Sequence, residues 1–86
     1  MFNVSVVQQP ARARVTLTPL LSAAERLTWV PALACGCLVD GRAAAALGDH
    51  AAGRMLIGRA VELAARYQMP AVARDALAHL DALPRQ

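Results

Sequence analysis

Apolar residues recur at spacings of three and four along much of this chain. From Gly53 the positions Leu56, Ile57, Ala60, Leu63, Ala64 and Tyr67 fall on one stripe, with Arg54, Glu62 and Arg66 on the other side. This pattern predicts a helix from Asp49 to about Tyr67, and Glu62 and Arg66 stand at the favourable i,i+4 spacing. Val72, Ala73, Ala76, Leu77, Leu80 and Leu83 predict a further helix, opened by Pro70 and ended by Pro84, with Arg74, Asp75, His79 and Asp81 facing out. The segment from Pro31 to Leu47 differs. Its first half, Ala32 to Val39, is apolar all round, as in a helix covered on most sides. Gly36 and Gly41 lie inside it, each unfavourable by up to ~1 kcal/mol relative to alanine, which predicts another backbone passing close.

Upstream, a first helix is expected to end near Trp29, because Pro31 disfavours helical geometry at Val30. Two starts compete. Thr18 can act as N-cap with Pro19 at the first helical position, or Ser22-Ala23-Ala24-Glu25 can form a capping box. Before this helix the period changes. Phe2 to Val6 and Val15 to Leu17 alternate apolar and polar, so residues 1–17 are expected as a strand pair around Gln8-Gln9-Pro10 or as a loose extended arm. Residues 18–86 form the helical domain.

The turn at Leu47-Gly48-Asp49 organises the rest. Glycine after a helix end tolerates the left-handed conformation, and Asp49 caps the next helix while its charge suits the positive end of the dipole. A stop and a start this close force an antiparallel hairpin. The expected fold is therefore all-α, an antiparallel helical hairpin array of about four helices with a short extended N-terminal arm.

Composition sharpens this picture. The chain has 86 residues, 57% of them hydrophobic but only 3% aromatic. Alanine supplies much of the apolar share, which favours helices yet buries little area per residue. A chain this small is marginal without help from disulfides, a metal or a partner. The two cysteines, Cys35 and Cys37, point in different directions on a helix and are not expected to bond each other. A partner protein or self-association is the remaining support. Net charge is +3, and all nine basic residues are arginine, as a GC-rich genome favours. Apart from Arg12 and Arg14 they are dispersed among six acids, a solvated mixed surface rather than a nucleic-acid footprint. No apolar run reaches membrane-spanning length. The first 21 residues imitate a signal peptide only in outline, because two threonines and a proline break the apolar run, so a cytoplasmic location is expected.

Candidate chemistry is sparse. Cys35-Gly36-Cys37 has the wrong spacing for zinc, which wants four ligands, and for a Cys-x-x-Cys redox pair; buried small hydrophobes are the expected role. Asp49-His50 lacks a companion nucleophile, so His50 is expected to pack or cap. His79 and Asp75 are a solvated i,i+4 pair. The glycines at 41, 48, 53 and 58 lack the Gly-Lys-Ser/Thr ending of a phosphate loop and read as packing points and a helix stop. No enzyme activity, catalytic residue, cofactor or metal is expected.

Residues 36–69 resemble one tetratricopeptide repeat, a helix–turn–helix unit of about 34 residues. Gly41 falls on the small residue of its first helix, Leu47-Gly48-Asp49 on the inter-helix turn, and Ala60 on the alanine where the two helices touch. Gly53 stands where alanine is usual, and Ile57 where an aromatic is. The departures are Cys37 for tryptophan, Asp40 for leucine, Ala44 for tyrosine, and Ala65 for the closing proline, which comes later as Pro70. The resemblance implies a surface that grips a peptide or helix. The chain is also weakly similar to the small bacterial chaperones that hold the needle subunit in type III secretion.

The expected function is a non-enzymatic protein–protein interaction module, a small bacterial chaperone or adaptor that buries a partner's helix in an apolar groove. Trp29, Leu33, Met55, Met69 and Val72 are the candidate partner-binding residues, since aromatics anchor interfaces and methionine adapts to them. The alternative is a helix-turn-helix DNA-binding or regulatory fragment of a bacterial transcription regulator, whose helical arrays carry similar hairpins. Its recognition helix would open with Ala51-Ala52-Gly53 and a single arginine, Arg54, too few polar groups to read bases, so nucleic acid is not the expected partner.

Overall fold

A computed structural model describes residues 10–84. Four helices follow one another: α1 (Pro10–Leu27), α2 (Val30–Ala46), α3 (His50–Arg66) and α4 (Pro70–Ala82). Each packs on the next, α2 also touches α4 lightly, and there is no strand among the described residues. The result is the expected all-α hairpin array.

The three connections share one construction. Thr28, Gly48 and Gln68 take the left-handed conformation, with φ of 54°, 91° and 56°. The residue after each turns its N–H back into the helix just left: Trp29 N to Ala24 O at 2.8 Å, Asp49 N to Ala44 O at 3.0 Å and Met69 N to Ala64 O at 2.8 Å. This closure satisfies carbonyls that a helix end leaves bare. The same residues then serve as N-caps of α2, α3 and α4. Only Asp49 caps with its side chain, accepting from Ala52 N at 3.1 Å. The accepting alanines are buried and stand every twenty residues, at 24, 44 and 64, and α2, α3 and α4 begin at 30, 50 and 70. The array thus has a structural period of one helix per twenty residues.

The core is thin. Among the described residues, seven of the eleven buried apolar ones are alanine, and the largest fully buried side chains are Ile57 and Cys37. Small residues let the helices approach closely. A Cβ at Gly41 would stand 2.6 Å from Ile57 Cγ1 and 3.1 Å from Gly53 O, and one at Gly53 would stand 3.0 Å from Gly41 O. The close backbone predicted at Gly41 is therefore α3. At Gly36 the neighbour is instead a side chain, Leu21 of α1. Gly58 has open space where a Cβ would go and is not a packing point.

The first helix departs most from expectation. The chain is helical from Pro10, so Val15 to Leu17 is helix rather than strand, eight residues ahead of the expected boundary. The run Phe2 to Val6 lies outside the described residues. Three alternating residues were too short a window: Arg14, Leu17, Leu21 and Ala24, spaced three and four apart, form one helical stripe toward α2. Arg14 Nε donates to Asp40 Oδ1 at 2.7 Å, and Leu21 fills the space left by Gly36. Neither expected cap forms. Pro19 sits inside α1, on the exposed side, and Thr18 Oγ1 donates to Arg14 O at 2.9 Å. Ser22 and Glu25 lie within α1 rather than at its start, and Glu25 pairs with Arg59 of α3 at 3.2 Å.

Gly41→Ala should lower stability by about 1–3 kcal/mol in urea unfolding, because the added methyl must displace Ile57 or the α3 backbone. Gly58→Ala should raise it by up to ~1 kcal/mol through helix propensity alone.

Candidate functional site

The apolar girdle of α2 explains the site. One side of α2 meets α1 through Gly36, a second meets α3 through Gly41 and Cys37, and a third remains. That third side and α1 bound an open groove of about 470 Å³. Leu17, Leu20 and Leu27 line it from α1, Cys35 and Val39 from α2, and Trp29 closes the corner between the helices. Leu20 is 60% exposed, Leu27 74% and Trp29 60%. Among the described residues, no charged side chain lines the groove.

The twenty-residue period shows why this face is apolar. Leu17, Cys37, Ile57 and Leu77 occupy one structural position in the four helices. In α2 and α3 neighbours on both sides bury it, and there it holds the two largest fully buried side chains. In α1 and α4 one neighbour is missing. Leu17 is only half-buried and lines the groove, and Leu77 is 51% exposed.

The candidate residues do not form one surface. Trp29 lies in the groove, but Leu33 is buried in the core. Met69 and Val72 are half-buried at the α3–α4 corner, and neither lines the groove. Met55 is 70% exposed near the start of α3, at the opposite end of the array from Trp29. Reading the sequence missed Leu20 and Leu27. Their signal was the spacing Ala13, Leu17, Leu20, Ala24, Leu27, hidden because helix was not expected before residue 18.

Several charged groups are engaged within the chain. Asp40 is buried against Arg14, which leaves the solvated surface it was expected to join and crosses from α1 to α2. A buried carboxylate is strongly unfavourable without such a partner. Arg54 Nη2 donates to Pro84 O, tying α3 to the end of α4. Arg54 and Arg59, two of the three arginines of α3, thus pair within the chain. Asp49 spends its carboxylate on the Ala52 N–H, and His50 Nδ1 is shielded without a hydrogen-bond partner, so no oriented Asp–His couple exists. No group of ligands fit for a metal occurs among the described residues, and no helix among them is long and apolar enough to cross a membrane. No protein-family model, curated protein or solved structure matches the chain.

Only Cys37 is the buried small hydrophobe expected of both thiols; Cys35 is exposed in the groove, on the side of α2 that no other helix covers. Burial pushes the Cys37 thiol above its usual range, with Asp40 and Glu25 adding to the shift and Arg59 opposing it. In dilute native protein, iodoacetamide should modify Cys35 alone, and Cys37 only on unfolding, as peptide mass mapping would show. Equal rates at both thiols would contradict this placement of α2.

Proposed function

We propose that this protein is a non-enzymatic protein–protein interaction module that accepts an amphipathic helix in the α1–α2 groove. The uncharged groove beside exposed Leu20, Leu27 and Trp29 carries the reading. An apolar surface held on rigid helices suits a partner that lays its own apolar stripe into it. The partner gains burial, and a chain with an alanine-rich core gains apolar area that it lacks. A small cytoplasmic chaperone or adaptor of bacterial secretion is the form this takes, a step that rests on the resemblance of the central hairpin to tetratricopeptide repeats.

The test is titration of dilute protein with a synthetic amphipathic helix carrying leucines at alternating four- and three-residue spacing and uncharged flanks. Trp29, the only tryptophan, reports directly. Its emission should move to the blue and saturate, and Cys35 should become protected from alkylation. Leu20→Glu should weaken binding about tenfold or more, since binding would then bury a charge. No response from Trp29, or binding unchanged in Leu20→Glu, would contradict the reading.

A further inference from the structure

We propose that the cleft between α2 and α4 binds a small organic phosphate, a phosphate monoester on a short carbon body. The site is separate from the α1–α2 groove and does not depend on it. Its shape follows from the array. Because α2 and α4 touch only lightly, an open cleft of about 220 Å³ lies between them over α3. Arg42 and Ala45, three residues apart on one face of α2, form one wall. His79, Ala82 and Leu83, at the end of α4, form the other, and Ile57 of α3 lies at the floor. The small side chains of Ala45 and Ala82 leave the space free.

The two polar groups of the cleft are unspent. Arg42 and His79 are half-buried, and neither has a hydrogen-bond or ion-pair partner among the described residues. Arg14, Arg54 and Arg59 differ, since each gives its guanidinium to an acceptor of the chain. Asp75, one turn before His79, is exposed and forms no ion pair with it, and Asp81 is exposed as well. No carboxylate lines the cleft among the described residues. Arg54, bound to Pro84 O next to Leu83, adds a further positive charge beside it. A half-buried guanidinium has lost part of its hydration, so an anion that restores its hydrogen bonds is strongly favoured.

The arrangement of donors selects the anion. A carboxylate has two oxygens, and the fork of Arg42 alone can occupy both. A phosphate monoester has three free oxygens, enough to engage the fork from α2 and a ring N–H of His79 from α4 together. The apolar remainder of the lining, Ala45, Ile57, Ala82 and Leu83, suits a short carbon body. A cleft of this volume falls below the ~300 Å³ at which sites for drug-sized ligands begin, so the ligand is smaller than a nucleotide. The net charge of +3 favours the approach of such an anion.

Histidine ring NMR of the full chain, titrated with butyl phosphate at constant pH and ionic strength, tests this. The chain has two histidines, so His50 serves as the reference. The His79 ring signals should shift and saturate in the millimolar range, and those of His50 should stay in place. Arg42→Gln, which removes the fork, should weaken binding about tenfold or more with unchanged helical circular dichroism. Arg42→Lys, which keeps the charge without the fork, should weaken it too. Arg74→Gln, exposed on α4 outside the cleft, should leave it unchanged. An unmoved His79, equal binding by Arg42→Gln and the parent, or butyrate bound as tightly as butyl phosphate overturns the proposal. Trp29 emission should stay constant throughout. A change there with His79 unmoved would put the ligand in the α1–α2 groove and equally overturn it. Failure here leaves helix binding in that groove intact, because the synthetic helix is read through Trp29 and not through His79.

Discussion

The approach of α2 to α3 at Gly41 and Gly53 is the constraint on which the rest depends. Each glycine leaves room for a carbonyl of the facing helix, and either Cβ would stand within 3.1 Å of that oxygen. Contact this close sets the register of the central hairpin and places Ile57 and Cys37 in the core. It also limits the core, because helices brought this near leave room for alanine rather than leucine. The chain folds tightly while burying little apolar area per residue, and several large side chains, among them Leu20, Leu27 and Leu77 on the edge helices, remain exposed.

Those edges carry the functional argument. Interior helices have two neighbours, and α1 and α4 have one each apart from the light touch between α2 and α4. A helical array normally places polar residues on faces with no neighbour. Here α1 keeps leucines, and α2 is apolar beside them. The partly buried Arg14–Asp40 pair helps hold α1 at a defined rotation on α2, with Leu17 and Leu20 toward the groove. An ion pair in such a place is better explained by register than by stability.

The central hairpin was legible in the sequence because its signals are local. Gly48 stops a helix and Asp49 starts one through chemistry within a few residues, and Gly41 and Gly53 stand out as glycines in helices. The start of α1 was illegible for the opposite reason. Pro19 and the β-branched Val15 and Thr16 argue locally against helix, and the support comes from Asp40 and Gly36, more than ten residues away. The twenty-residue period was hidden because three unlike residues, Thr28, Gly48 and Gln68, perform the same turn. Of the candidate site, Trp29 was visible as a lone aromatic at a corner. Leu33 is buried rather than on a surface, because the apolar pattern cannot tell which face of a helix its neighbour will cover, and Met55 is exposed but away from the groove.

The central claim is that the described residues leave the α1–α2 face bare. Methyl NMR of dilute protein with a soluble paramagnetic agent tests it most directly. The account expects strong broadening of the Leu20 and Leu27 methyls and none at Ile57, which is 1% exposed. Protection of Leu20 and Leu27 equal to that of Ile57 in dilute protein would show that the chain covers its own groove, and would contradict the account.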